Sequence, residues 1–172
     1  MTGLIIRDAR GSDAPALLDI YRPFVTDTAV SFELEPPTVA EFEARIISAQ
    51  SQWAWLVGER NGQVAGYAYA SAFRTRAAYR LTVESSAYVH PAHRGHGVAG
   101  ALYRRLFEVL TGQGYCNAYA GIALPNDASV AFHKSLGFTY VGTFHRAGWK
   151  FGRWHDVSWW EARLRDQPLN QD

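Results

Sequence analysis

Three strand-like segments in a row precede the central helix of this chain, and this order constrains the fold more than any other feature. The segments WAWLVGE and QVAGYAYASAF flank Asn61-Gly62, the strongest short signal for a β-hairpin. The third segment, YRLTVESSAYV, is rich in β-branched and aromatic residues. Regular alternation of strands and helices would build a parallel sheet, whereas strands in succession favour antiparallel pairing. The order therefore predicts a mixed sheet.

The other elements are predicted from hydrophobic periodicity and from helix caps. Ser12 or Asp13 can cap the first helix. Thr38 and Glu41 form a capping-box pattern, and Gly137 lies just past the end of the last helix. The predicted elements are strand 4–9, helix 13–25, helix 38–50, strands 53–59, 63–73 and 79–89, helix 97–113, strand 117–124, helix 125–138, and strands 139–146 and 156–164. The chain is therefore expected to form one α/β domain, β-α-α-β-β-β-α-β-α-β-β, with a flexible tail of roughly the last eight residues.

Composition limits the partners and the compartment. The 172 residues include 17 basic and 16 acidic side chains, and the net charge of +1 provides no global attraction for nucleic acid or an anionic membrane. No apolar run approaches the roughly 20 residues of a membrane span, and we find no signal-peptide pattern. Cys116 is the only cysteine, which favours a reducing compartment. We expect a cytoplasmic protein that binds neither nucleic acid nor membrane.

The segment GHGVAG, residues 95–100, matches the dinucleotide-binding pattern G-x-G-x-x-G letter by letter. In a Rossmann unit the first glycine follows its strand almost at once, but here residues 90–94 intervene after Val89. NAD binding is therefore disfavoured. The glycines lead instead into a helix whose first N–H groups have no intrahelical partner and whose dipole favours an anion. With Arg94 and His96 as further donors, the segment predicts a pyrophosphate site.

The whole pattern resembles the GNAT family of N-acetyltransferases. Arg94, Gly97 and Ala99 match the family's acetyl-CoA signature, Q/R-x-x-G-x-G/A, in register. Asn126 and the sequence LGF at 136–138 match a second landmark. The blocks AYRLTVESSAYVHPAHRGHG, LPNDASVAFHKSLGF and GWKFGRWHDVSWW resemble the phosphinothricin and methionine sulfoximine acetyltransferase subfamily. The resemblance covers roughly residues 4–164 and implies a mostly antiparallel central sheet flanked by helices.

The resemblance also implies which residues bind acetyl-CoA, the expected co-substrate. Backbone groups of Ala87, Tyr88 and Val89 are implied to bind the pantetheine arm and to polarise the thioester carbonyl, as an oxyanion hole does. Asn126 is implied to lie near the pantetheine. The pyrophosphate is implied to lie on Arg94, Gly95, His96, Gly97, Val98, Ala99 and Gly100.

A metal site is the alternative for this segment, because His90, His93 and His96 are spaced three apart. Zinc favours a closed ligand set, and the segment has no cysteine or acidic residue to complete one. We therefore expect no metal.

Two residues are expected to move protons. Glu84 lies mid-strand, and alternation places it on the face of Thr82, Ser86 and Tyr88. A carboxylate partly out of water has a raised pKa, which suits a general base for the substrate ammonium; a solvated strand acid is the alternative. His133 occupies the place of a family tyrosine proposed to protonate the departing thiolate. It is either that acid or a hydrogen-bonded helix histidine.

Several residues are expected to contact the acceptor substrate. Arg74 and Arg76 follow the predicted strand GYAYASAF, at the position where the subfamily contacts its amino-acid substrate. Arginine binds a carboxylate or a phosphinate in a bidentate manner. A solvated basic edge is the alternative. The full set of substrate candidates is Arg74, Thr75, Arg76, Glu84, Ser85, Ser86 and, in the predicted aromatic loop, Lys150 and Arg153.

These expectations combine into one function. The resemblance implies direct attack by the amine of a small amino acid or analogue on acetyl-CoA in a ternary complex, and a homodimer. The alternatives are acetylation of a protein N-terminus, a lysine or an aminoglycoside, or a CoA-binding module without turnover. The nearby arginines disfavour cationic acceptors, and the presence of Glu84 and Asn126 disfavours a non-catalytic module.

Overall fold

The computed structural model describes residues 3–169, and their helices and strands follow the predicted order. They are β1 (Ile5–Asp8), α1 (Ala14–Thr26), α2 (Val39–Gln50), β2 (Trp55–Arg60), β3 (Gln63–Ala72), β4 (Thr82–Val89), α3 (Val98–Gln113), β5 (Asn117–Ala123), α4 (Asp127–Ser135), β6 (Thr139–Lys150) and β7 (Arg153–Arg163). Among the described residues, no helix has both the length and the apolar character needed to cross a membrane. The predicted tail extends to residues 170–172, which lie outside the described residues.

The strands form one seven-stranded sheet in the order β1-β2-β3-β4-β5-β7-β6. Every neighbouring pair is antiparallel except β4 and β5, so the predicted mixed, mostly antiparallel sheet is confirmed. Helices α1 and α2 pack on one face, against buried residues such as Trp55 and Tyr67. Helix α3 packs on the other face against Val83, and α4 joins α3 there through Tyr103 and Ile122.

Local signals account for most of the boundaries. The Thr38 Oγ1 accepts the Glu41 N–H at 3.2 Å while the Glu41 carboxylate accepts the Thr38 N–H at 2.7 Å, which confirms the capping box. Asn61 and Gly62 both have positive φ, 55° and 75°, as a two-residue hairpin turn requires. Asp13 is the N-cap residue of α1, but the predicted hydrogen bond from its side chain to the helix is absent. Asp13 binds the Arg10 N–H and the Arg7 guanidinium instead of the helix.

The last two strands are longer than predicted, and the aromatic loop between them is absent. Strand β6 continues to Lys150 and β7 begins at Arg153, joined by a turn at Phe151 and Gly152 with φ of 51° and 70°. The prediction was wrong because a two-residue turn inside GWKFGRWH leaves the flanking residues free to pair. Trp149 lies opposite Trp154 in register, and their ring centres are 5.3 Å apart. Such cross-strand aromatic pairs stabilise a sheet.

Candidate active site

The strands β4 and β5 diverge after three paired residues, and this divergence opens a cleft in the sheet. The parallel ladder joins residues 82–84 to residues 117–119. Strand β4 continues to Val89 and β5 to Ala123, so their facing edges carry backbone N–H and C=O groups outside that ladder. A narrow cavity of about 70 Å³ lies there, lined by Ser85, Ala87, Tyr88, Ile122, Asn126 and His133. Such an edge can bind an extended amide chain and present N–H groups to a carbonyl.

The glycine-rich segment, residues 95–100, follows β4 after the short connection 90–94 and forms the N-terminus of α3. Gly95 and Gly97 have φ of 75° and 76°, a backbone conformation that L-residues rarely adopt. The N–H of Ala101 donates to the carbonyl of Gly97 at 3.0 Å, so the amides of residues 98–100 precede the first intrahelical bond. The helix dipole makes this end favourable for an anion. The segment therefore has the geometry of a pyrophosphate site.

The side chains around this segment are partly held by the protein itself. The Arg94 guanidinium carbon lies 5.6 Å from the centre of the Phe24 ring, within cation–π range. His96 Nδ1 lies 2.8 Å from the Arg94 carbonyl oxygen. Asn126 Oδ1 accepts the Ser129 N–H at 3.2 Å, which caps α4 beside the narrow cavity. Asn126 thus lines the narrow cavity, while Arg94 and His96 lie just before the N-terminus of α3.

Glu84 faces a second cavity, of about 370 Å³, on the α1 side of the sheet. Ser86 and Tyr88 also line it, which confirms the face predicted from strand alternation. Burial raises the pKa of the Glu84 carboxyl, and the positive charge of Arg74 partly opposes this effect. A carboxylate with a raised pKa can accept a proton near neutral pH. We call this space the acceptor cavity.

The acceptor cavity adjoins the narrow cleft. Ser86, Tyr88 and Gly121 line both spaces. An amine beside Glu84 would therefore lie next to the strand edge at which a thioester carbonyl can be bound. This adjacency is what a direct transfer requires, because the two reacting atoms must approach to about 3–3.5 Å.

Trp159 forms part of the acceptor cavity and was not predicted. It lies opposite Gly121 in the β5–β7 register, and a Cβ added at Gly121 would be only 3.2 Å from Trp159 Cη2. The absent side chain thus lets the indole lie across β5 toward β4. A glycine inside a strand often marks such a close approach. Gly121 was therefore the feature of the sequence that could have indicated a large side chain lying over β5. Tyr69, Phe32 and Phe144 line the same cavity and had no comparable signal.

His133 lies in the narrow cleft and is hydrogen-bonded at both ring nitrogens. Its Nδ1 is 2.8 Å from the Ser129 carbonyl oxygen, which can only accept, so Nδ1 carries the hydrogen. Its Nε2 is 3.2 Å from the Tyr103 hydroxyl, which then donates to it in the neutral ring. Burial lowers the pKa of His133. The arrangement favours a neutral imidazole that orients Tyr103, a residue that sequence reasoning did not single out.

The candidates after β3 share one cavity, and Arg74 also borders the acceptor cavity. The Arg74 guanidinium carbon lies 4.3 Å from the centre of the Phe73 ring and 5.8 Å from that of Trp159, at the border of the acceptor cavity. Arg74, Thr75 and Arg76 all line another cavity, of about 520 Å³, on the Tyr115 side. Of these three candidates, Arg74 is the one whose charge acts on the Glu84 carboxyl.

Ser85, Lys150 and Arg153 lie away from the acceptor cavity. The Ser85 hydroxyl donates to the Tyr119 carbonyl at 3.3 Å, and its side chain lines the narrow cleft. Lys150 was expected in an aromatic loop, but it ends β6 as a buried residue bonded to backbone carbonyls, because the strand extends four residues beyond its predicted end at 146. Arg153 begins β7 as an exposed residue.

Of the three histidines spaced three residues apart, His90 and His93 lie close to each other. The ring centres of His90 and His93 are 5.7 Å apart, and His90 Nδ1 accepts the Ala92 N–H at 3.2 Å. Within residues 3–169, no group of three or more His, Cys, Asp or Glu side chains is arranged to hold a metal ion.

Comparison with known proteins gives one consistent result. The family model described as an acetyltransferase (GNAT) domain matches residues 6–159. Phosphinothricin N-acetyltransferase of Streptomyces viridochromogenes is 41% identical over 156 residues, which cover 91% of this chain and 85% of that protein. L-methionine sulfoximine/L-methionine sulfone acetyltransferase of Salmonella typhimurium is 36% identical over 172 residues, which cover 94% and 95%.

A solved structure agrees over the whole fold. The phosphinothricin acetyltransferase of Sinorhizobium meliloti in complex with acetyl-CoA superposes with a TM-score of 0.92 at 35% identity, covering 99% of this chain and 95% of that chain. This level of similarity shows that the two proteins share the fold over nearly their whole length.

Proposed function

This chain belongs to the GNAT acetyltransferase family and is an acetyl-CoA-dependent N-acetyltransferase, and from this premise we propose how its own residues act and which amine they accept. The acceptor is the α-amine of a small amino acid or analogue of the phosphinothricin, methionine sulfoximine or methionine sulfone type. These compounds are named in the relatives' activities and share an α-amino acid with a short polar side chain.

One observation carries the proposal: Glu84 lies in a cavity that shares Ser86, Tyr88 and Gly121 with the cleft. An amine in the acceptor cavity must lose a proton before it attacks, because the lone pair of an ammonium is occupied. The partly buried Glu84 carboxylate, with its raised pKa, takes that proton directly or through water. Arg74, at the cavity border, binds the carboxylate or the side-chain anion of the acceptor.

The co-substrate is bound mainly by backbone groups. The residues present suit acetyl-CoA, because a strand edge outside the ladder leads into a helix N-terminus preceded by two glycines with positive φ. Residues 95–100 hold the pyrophosphate, and backbone groups of Ala87, Tyr88 and Val89 hold the pantetheine and polarise the carbonyl, with Asn126 beside them. The bound thioester supplies the acetyl group.

His133 positions the proton donor rather than donating the proton itself. A neutral ring with hydrogen on Nδ1 has none on Nε2, and the Tyr103 hydroxyl occupies Nε2. The Tyr103 hydroxyl lines the same cleft and can donate to a departing thiolate by turning its single hydrogen away from Nε2. Replacement of His133 should therefore weaken the orientation of Tyr103.

The experiment that tests the function is a screen of acceptors by release of CoA thiol. Phosphinothricin, methionine sulfoximine and methionine sulfone should be acetylated, whereas an N-terminal peptide, a lysine peptide and an aminoglycoside should not. Acetylation of the peptides or the aminoglycoside alone would overturn the assignment of the acceptor. Acetyl-CoA binding by calorimetry without any turnover would indicate the binding-module alternative.

We further propose that the protein is a cytoplasmic homodimer that binds no nucleic acid. The edge strand β6 and its turn expose the apolar residues Tyr140, Val141, Trp149 and Phe151, each more than half exposed. Exposed edge strands with apolar side chains favour association with a second copy. Light scattering on the wild type and on Trp149→Glu measures this directly, and a monomeric wild type would refute it.

A further inference from the structure

Lys150 is a buried lysine, which is rare in proteins. Only 3% of it is exposed, whereas the chain's other lysine, Lys134, lies on the surface. The Lys150 ammonium donates to the Val25 carbonyl at 2.6 Å and to the Ser31 carbonyl at 2.7 Å. These bonds join residues more than a hundred positions apart, so the Lys150 side chain links β6 to the backbone at Val25 and Ser31.

The two carbonyls belong to the chain around one wall of the acceptor cavity. Val25 lies in the last turn of α1, where carbonyls have no intrahelical partner and a cation is favourable. Ser31 lies in the connection between α1 and α2, and Val30, Ser31 and Phe32 all line the acceptor cavity. We call residues 30–32 the acceptor wall.

Other contacts hold the acceptor wall at different points. The Ser31 hydroxyl lies 2.6 Å from the Tyr21 hydroxyl, which ties it to α1. The Phe32 ring covers Gly148 on β6, where any added Cβ would overlap the ring. Two residues of β6 therefore hold the acceptor wall in place. Lys150 does so by its hydrogen bonds, and Gly148 by leaving room for the Phe32 ring.

We propose that Lys150 is a positioning residue for the acceptor substrate, which holds the acceptor wall against β6 and so sets the width of the cavity beside Glu84. It does this without contacting the substrate, and Gly148 acts with it by accommodating Phe32. The proposal rests on the proposed function in one respect, namely that the acceptor amine occupies this cavity.

Loss of the ammonium should loosen the wall rather than unfold the domain. Lys150→Met keeps the length and apolar stem of the side chain but leaves two carbonyls without their donor, and a buried polar group without a partner is strongly unfavourable. The wall can relieve this cost by moving toward water, since it is a short connection on the surface. The acceptor would then bind in a wider, less ordered cavity.

The experiment compares Lys150→Met, Gly148→Ala and the surface control Lys134→Met. Both test variants should raise the acceptor KM by roughly tenfold or more, and by similar factors for phosphinothricin and for methionine sulfone. Acetyl-CoA affinity measured by calorimetry should stay close to that of the wild type. The double variant should lose less than the product of the two single losses, because both changes release the same wall. The control should match the wild type.

Hydrogen exchange provides a readout that does not depend on turnover. Peptides covering residues 27–33 should exchange faster in both test variants, while peptides from β4 and α3 should keep the wild-type rate. This holds even if the acceptor screen fails, so a failure of the proposed function is distinguishable from a failure of the wall. Should Lys150→Met not fold, Gly148→Ala carries the same test.

Three results would overturn the proposal. Unchanged acceptor kinetics and unchanged exchange in both variants would show that the wall does not depend on β6. A loss confined to the anionic acceptor, phosphinothricin, would instead indicate direct contact between Lys150 and a substrate anion. Equal losses of acceptor and acetyl-CoA binding would indicate general structural damage.

Discussion

Replacement of Glu84 by glutamine tests the chemistry most directly. The change keeps the shape of the side chain but removes the base, because an amide cannot accept the ammonium proton. In the proposed binding mode, the cofactor is held by backbone groups and by residues 95–100 rather than by this side chain. We therefore expect kcat to fall with acetyl-CoA affinity almost unchanged.

The magnitude follows from the role of the side chain. A positioned general base contributes roughly 10²–10⁴-fold, which corresponds to about 3–5 kcal/mol of transition-state stabilisation. The raised pKa of Glu84 sets the acid limit of the wild-type profile, so activity should fall as the pH drops through a value above the ordinary glutamate range. In the variant, the fall in activity caused by protonation of Glu84 should be absent from the pH profile. The loss should shrink at high pH, because an α-amine with a reference pKa of about 8 is then already unprotonated.

The same substitution has an opposite effect on stability. A carboxyl whose pKa is raised in the folded state binds its proton more tightly there than in the unfolded chain, so its ionised form destabilises the fold. Glu84→Gln should therefore unfold at an equal or higher temperature than the wild type at pH 7–8. The difference should vanish as the pH falls below the unfolded-state pKa of about 4.3.

The assay is initial-rate release of CoA thiol across the pH range, with thermal unfolding measured on the same samples. Glu161→Gln is the matched control, because Glu161 is a carboxylate on β7, two strands from β4, that accepts a hydrogen bond from Tyr119 at 3.0 Å and lies outside the acceptor cavity. A Glu84→Gln enzyme that retains near wild-type kcat and an unchanged pH profile would refute the assignment of the base.

Three further predictions follow from the site. Gly97→Asp should sharply raise the Kd for acetyl-CoA in calorimetry, because it adds negative charge at the helix N-terminus and a side chain at a positive φ; unaltered binding would contradict the pyrophosphate assignment. Arg74→Gln should raise the acceptor KM by roughly tenfold or more while the matched Arg76→Gln has little effect, since Arg74 acts on the Glu84 carboxyl and contacts Trp159 of the acceptor cavity; equal effects in steady-state kinetics would refute this. His133→Phe should lower kcat without the high-pH recovery expected of Glu84→Gln, and a pH–rate profile with such a recovery would argue against a role at the leaving group.

Local sequence signals predicted the order of the elements and the cofactor segment. A capping box at Thr38, a hairpin turn at Asn61 and glycines at 95 and 97 each act within a few residues, so their physics is present in the sequence itself. The face of Glu84 followed from strand alternation for the same reason. The boundaries of β6 and β7 did not, because the segment between them contains its own turn and its pairing depends on which residues lie opposite.

What the sequence by itself determined is the fold class and the family resemblance, and it also provided the proposals for the base and for the pyrophosphate segment. Only the tertiary structure decided what surrounds them. The acceptor cavity combines Tyr69, Trp159 and the wall 30–32 from segments far apart in the chain, and Trp159 reaches it only because Gly121 lies opposite on another strand. The burial of Lys150 also depends on distant segments. A lysine is expected at the surface, and this one is buried because it donates to two carbonyls more than a hundred residues away. Contacts between distant segments depend on sheet register and helix packing, and no local pattern of residue types encodes them.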